Sequence, residues 1–231
     1  MAKVQKSICT LTIEYDMLSE TFINDLKSAL NHALPGENAQ YKLAPSYRPR
    51  LTPQQISDLN PKIGAVMLLL YRKKSEWTIV FTQRHSYEGV HSGQISFPGG
   101  KKDPEDKSLI ETALRETYEE IGVVPDNIAI LGSLTNLFIP PSNFLVYPTV
   151  GWTDSQTAFI PQEREVAEIL EIPVSFFLKD ESIQQTAIDL PNGTKFNVPA
   201  FIYNGRVIWG ATAIILSEFR EVVATLNQAS S

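Results

Sequence analysis

The spacing of apolar residues changes several times along the chain, and each change predicts an element. Phe22, Leu26 and Leu30 recur at intervals of four within residues 17–34, which predicts an amphipathic helix, and Pro35-Gly36 predicts its end. The stretch YKLAPSYRPRLTPQQ that follows is rich in proline and predicts an irregular connector. Two apolar runs, residues 64–71 and 77–82, read as strands separated by the polar RKKSE. Further strands are predicted near 128–137 and 144–152, while residues 166–172 suit a strand or a helix. Asn192-Gly193 and Asn204-Gly205 each sit between strand-like runs and predict two-residue hairpin turns. From 211 to 226 the period becomes helical, with Ile215, Phe219 and Val222 on one side. Strands mixed with a few helices predict a layered α/β (α+β) domain.

The helix predicted over 108–121 carries the chemistry. Ile110, Leu114, Thr117 and Ile121 are expected on its apolar face, and Gly122 supplies a stop. At about 100° per residue, Glu116, Glu119 and Glu120 fall within roughly 100° of arc beside that face. Like charges at this spacing repel. Arg115 lies four residues before Glu119 and offsets part of the repulsion. Three carboxylates so placed suit a hard divalent cation, which takes oxygen ligands. The simpler alternative is a solvated charged face, the usual account of an acidic run. The glycine pair of FPGG just upstream favours the cation, because glycine lets backbone approach a ligand closely.

Composition narrows the classes. The chain has 231 residues, 43% hydrophobic and 20% charged, with a net charge of −6. That describes a globular protein with enough chain for a sizeable core, and it argues against a broad nucleic-acid footprint. Cys9 is the one cysteine, so an internal disulfide or a multi-thiolate zinc cluster is excluded; His32, His85 and His91 form no HExxH pair. No signal peptide and no membrane-length apolar run is read in the sequence, so a soluble, cytoplasmic protein is expected. GQISFPGGKK is not a P-loop, since Lys102 stands where that motif needs Ser or Thr.

Gly100, Arg115, Glu116, Glu119, Glu120 and Gly122 resemble the signature of the Nudix hydrolases. One departure is visible: Asp106 stands at the first acidic position, with eight residues rather than seven between it and Arg115. FTQRHSYEGVHSGQISFPGG, residues 81–100, and GGKKDPEDKSLIETALRE resemble the corresponding stretches of coenzyme A pyrophosphatases. Thr82, Arg84, Gly93 and Phe97 to Gly100 keep that pattern. His85 replaces a usual small residue and Gly89 a usual arginine. IPPSNFLVYPTVG and IWGATA extend the resemblance, which covers roughly residues 63–216.

The resemblance implies a Nudix-type α/β/α sandwich with a mixed sheet. It implies one domain over 1–231, preceded within it by a helical extension at about 1–40. The activity it implies is metal-dependent hydrolysis of coenzyme A or its thioesters, giving 3′,5′-ADP and 4′-phosphopantetheine. Glu116, Glu119, Glu120 and the Gly99 carbonyl would hold Mg²⁺ or Mn²⁺. Glu116, Arg115 and Glu165 are the expected catalytic residues, and Arg84, Lys101 and Gly100 the expected substrate contacts. The plainer reading of Glu165 is a surface acid, and of Lys101 and Lys102 solvated cations. The expected partner is a small diphosphate compound, with a homodimer allowed for and neither nucleic acid nor membrane. Alternatives are a Nudix hydrolase of another substrate such as ADP-ribose, or a non-catalytic nucleotide-binding module.

Overall fold

The computed structural model describes residues 21–85, 93–154, 158–189 and 195–229. Its centre is strand β1 (Lys62–Lys73), which carries the longest apolar run of the chain. Alternation along β1 sends Ala65, Met67, Leu69 and Tyr71 to one face and Leu68 and Leu70 to the other. Both faces are covered, which is why the strand reads as continuously apolar rather than alternating.

On one side β1 pairs antiparallel with β2 (Glu76–Arg84), which pairs with the short β3 (Ile95–Ser96) and with β8 (Val166–Pro173). On the other it runs parallel to β7 (Phe144–Thr153), with Lys62 opposite Phe144 and Tyr71 opposite Thr153. β4 (Gly99–Lys101) adds to β1, while β5 (Ala129–Ser133) and β6 (Leu137–Ile139) add to β7. These eight strands form one mixed sheet among the described residues. A second sheet contains β9 (Ile183–Asp189), β10 (Lys195–Tyr203) and β11 (Arg206–Ile208).

Helices lie on both faces, so the α/β/α sandwich expected from the sequence is present. Helix α1 (Phe22–Leu30) and helix α3 (Gly210–Ala229) pack on the face of Leu68 and Leu70. Phe22, Leu26, Phe219 and Val222 interlock there with Ile79 and Phe81. Helix α2 (Leu109–Ile121) covers the opposite face through Ala113 and Ile121, against Ala65, Met67 and Leu69. Small side chains at Ala113 and Thr117 let that helix lie close to the sheet.

Several boundaries differ from the sequence reading. Helix α1 ends at Leu30, with Asn31 as its cap, before Pro35-Gly36 is reached. The proline-rich connector contains a short helix, Pro53–Asp58, started by a Thr52–Gln55 capping box. The ambiguous stretch 166–172 is strand β8, because its edge groups pair with β2. Asn204 and Gly205 take positive φ values of 48° and 77° in the β10–β11 turn, as an Asn-Gly hairpin requires. Asn192-Gly193, Cys9, Gly89 and His91 lie outside the described residues. No helix among the described residues is long and apolar enough to cross a membrane.

Candidate functional site

Helix α2 starts and stops on local chemistry. The Ser108 hydroxyl accepts the Glu111 N–H at 3.1 Å, and Gly122 closes the helix in the left-handed region at φ 76°. Its buried side is formed by Thr112, Ala113, Thr117, Glu120 and Ile121. Ile110, expected on the apolar face, is instead exposed. The buried stripe is centred one position further round the helix, on Ala113 and Thr117, and this shift carries Glu120 inward.

Asp106 and Arg115 organise the acidic set. Asp106, only 6% exposed, accepts Arg115 Nε on Oδ1 at 3.0 Å and Nη2 on Oδ2 at 3.0 Å. Its Oδ2 also accepts the Thr112 hydroxyl and the Asp103 N–H, each at 2.9 Å. The Arg115 hydrogen bonds, backed by these donors, overcome burial and hold the Asp106 carboxyl well below the usual carboxylate range. Arg115 in turn donates Nη1 to Glu116 at 2.8 Å and to Glu119 at 3.1 Å, and Nη2 to the Lys101 carbonyl at 3.1 Å. One guanidinium therefore ties the glycine strand, the loop after it and two helix carboxylates together.

Glu120 sits apart from that network. It is 5% exposed, its Oε2 accepts the Thr82 hydroxyl at 3.2 Å, and it forms no ion pair among the described residues. Burial raises its pKa to about 7, against the attraction of Arg84 and the Thr82 bond. Glu116 is raised too, chiefly by burial; repulsion from Glu119 and Glu165 adds to this and Arg115 opposes it. Glu165 is exposed and lies on a loop whose Gln162 N–H bonds to the Glu120 carbonyl at 3.0 Å.

The other predicted residues are distributed as follows. Gly100 packs directly on Glu116: a Cβ there would stand 2.4 Å from Oε2. Gly99 pairs with Val66 on β1, where a Cβ would meet the Ala65 carbonyl at 2.4 Å. Arg84 is half-buried at an irregularity in the β2–β8 pairing, within electrostatic reach of Glu120. Lys101 exposes its side chain and contributes its carbonyl. Lys102 bonds back to the Asp106 carbonyl at 2.7 Å and so braces the turn. Thr82 and Gln162 received no role from the sequence. In the sequence Thr82 is marked only as one of the residues that keep the coenzyme A pyrophosphatase pattern. The further signal is its place in an apolar run, since a hydroxyl buried in such a strand needs a partner.

The donor set fits a hard divalent cation in its chemistry: carboxylate oxygens beside a glycine loop, one of them buried without a cation partner. It is not a ready-made cage. Among the described residues no three His, Cys, Asp or Glu side chains converge on one point, because Arg115 draws Glu116 and Glu119 toward itself.

Comparison with known proteins bears on the family of the chain. A NUDIX domain model matches residues 61–187, more than half of the chain. The protein named "Uncharacterized Nudix hydrolase NudL" of Pectobacterium atrosepticum is 36% identical over 187 residues, 78% of this chain and 88% of that protein. Its namesake in Photorhabdus laumondii is 33% identical over 74% of this chain and 89% of its own length. A crystal structure of a MutT/nudix family protein from Enterococcus faecalis aligns over 89% of this chain and 75% of its own, with 16% identity and a TM-score of 0.46. That last likeness is too distant to add weight. The domain match and the extent of identity to the NudL proteins are sufficient: the chain belongs to the Nudix hydrolase family, enzymes that act on pyrophosphate bonds and generally need a divalent metal ion.

Proposed function

We propose that this protein hydrolyses the pyrophosphate bond of coenzyme A or its thioesters, with Mg²⁺ or Mn²⁺, to 3′,5′-ADP and 4′-phosphopantetheine. The observation that carries the reading is the coupling of two stretches. In the segment that resembles coenzyme A pyrophosphatases, Thr82 donates its hydroxyl to Glu120 of the acidic helix and Arg84 is within electrostatic reach of the same carboxylate. A segment so connected is suited to govern which diphosphate reaches the carboxylates.

Glu116, Glu119, Glu120 and the Gly99 carbonyl would hold the cations. When bound, they supply charge neutralisation on the diphosphate and a lower pKa for the attacking water. Arg115 keeps Glu116 and Glu119 oriented and limits their repulsion. A carboxylate, Glu116 or Glu165, takes the proton from the water as its oxygen bonds to phosphorus. The P–O–P bond breaks, and the leaving phosphate departs as an anion. Arg84, Lys101 and the Gly100 backbone contact the substrate phosphates. Residues 1–231 act as one catalytic unit, to which α1 contributes packing rather than chemistry.

The test is turnover of a panel of diphosphate compounds by purified protein with Mg²⁺ or Mn²⁺. Coenzyme A is expected to be cleaved faster than ADP-ribose, and EDTA to stop the reaction. Rates on coenzyme A no better than those on ADP-ribose would move the assignment to the broader Nudix reading. Absence of turnover on every compound would favour a binding module.

A further inference from the structure

A cavity of about 410 Å³, within the range of small-molecule sites, is lined by Ile63, two residues along β1 from the partner of Gly100. It straddles the seam where the family domain begins, at residue 61. The domain supplies an apolar floor that includes Ile63, Phe138 and Leu145, and the preceding segment supplies Gln40, Arg48 and Asn60. Gln40 is fixed by donating to the Thr135 carbonyl and to Glu218, each at 2.9 Å.

Arg48 is the cation of this cavity. It is half-buried and donates Nη2 to the Phe138 carbonyl. Burial lowers its pKa, and Glu37 offsets this only through space; no carboxylate forms an ion pair with Arg48 among the described residues. A guanidinium has five donors in a planar fork, suited to two oxygens of one phosphate. Beside it are the Phe138 carbonyl, Tyr41, Tyr47 and, lining the same cavity, Glu37; the one hydrogen bond to the carbonyl leaves part of the donor fork for a ligand.

The cavity is within a nucleotide's length of the glycine loop. Ile63 stands two residues before Ala65, the partner of Gly100, a distance of about 7 Å along a strand. The Ile63 carbonyl also accepts the Lys102 N–H at 2.9 Å. We propose that this cavity binds the nucleoside end of the substrate, and that Arg48 contacts a phosphomonoester carried there, the 3′-phosphate of coenzyme A. The proposal rests on the coenzyme A reading, and adds to it a residue outside the family domain that selects for the extra phosphate.

Two measurements on the full chain test it. In the first, kcat/KM is compared for coenzyme A and dephospho-coenzyme A in wild type, Arg48→Gln and Arg50→Ala. Arg50, which lies over the Tyr41 ring at 4.3 Å, serves as a nearby cation control. Wild type and Arg50→Ala should prefer coenzyme A by roughly tenfold, and Arg48→Gln should lose that preference while keeping its rate on dephospho-coenzyme A. An equal loss on both substrates, an unchanged preference, or no preference in wild type overturns the role of Arg48 and leaves the coenzyme A reading standing. The second measures calorimetric binding of 3′,5′-ADP and 5′-AMP to EDTA-treated protein. It decides the matter even if neither coenzyme is cleaved, an outcome that would sink the activity alone. Tighter binding of 3′,5′-ADP that Arg48→Gln abolishes supports the cavity; equal binding of the two nucleotides, or a difference that survives in Arg48→Gln, overturns it.

Discussion

Asp106 and Arg115 meet edge to edge, with two nitrogens of the guanidinium on two oxygens of the carboxylate, both at 3.0 Å. The pair is buried at the aspartate end and holds the turn after the glycine strand against helix α2. Asp106→Asn should therefore cost about 3 kcal/mol of stability, as breaking a buried pair from one side does. Urea denaturation near neutral pH measures it. The folded pKa of Asp106 is depressed, so its contribution is present above the unfolded value of about 3.9 and is lost as pH falls toward the folded value. Below about pH 4 the wild type should lose stability more steeply than the variant.

Glu120 gives the opposite slope in a different window. Its folded pKa, about 7, lies above the unfolded glutamate value of about 4.3, so the folded state binds the extra proton between them. With EDTA present, this group should lower stability by about 2–3 kcal/mol as pH rises from 4 to 7. Glu120→Gln should remove that slope, keep the fold, and lose most activity with Mg²⁺. Full turnover in the variant would contradict the role proposed for Glu120.

The two glycines should separate stability from activity. A Cβ on Gly100 meets the mobile end of Glu116, which can swing aside, so Gly100→Ala should fold well and turn over poorly. A Cβ on Gly99 meets the Ala65 backbone carbonyl, which cannot, so Gly99→Ala should lose about 2 kcal/mol or more. Thermal melts beside initial rates test both.

A third buried carboxylate tests packing away from the carboxylate site. Glu218, fully buried on α3, accepts the Thr135 hydroxyl at 2.6 Å, the Thr135 and Gly36 N–H groups, and Gln40. Glu218→Ala would leave those donors unpaired, with an expected loss of about 3 kcal/mol. Denaturant midpoints of the variant and of Glu218→Gln should rank alanine as the worse.

The central strands and the acidic helix were legible because their signals are local. An apolar run bounded by polar residues gave β1 and β2, while Ser108 and Gly122 bracket α2 within a residue. The carboxylates Glu116, Glu119 and Glu120 were legible for the same reason. What stayed hidden depends on residues far apart in sequence. Thr82 finds Glu120 across 38 positions, and Glu218 finds Gly36 across 182, with no periodicity to announce either. The partition within the acidic set was also out of reach. Spacing puts Glu116 and Glu120 on one arc, but only the fold shows Arg115 taking one of them and burial isolating the other.

Helices α1 and α3, near the two ends of the described chain, share one layer and close the same face of the sheet. During synthesis that face must wait. When β1, β2 and α2 have left the ribosome, Leu68, Leu70, Ile79 and Phe81 still lack α3, whose Phe219 and Val222 complete their cover. Contacts this distant in sequence form slowly, and the uncovered sheet is prone to aggregate in the interval. Emergence of α3, rather than folding of the acidic helix, should thus set when the protein becomes active, and nascent chains stalled before residue 210 should need a chaperone.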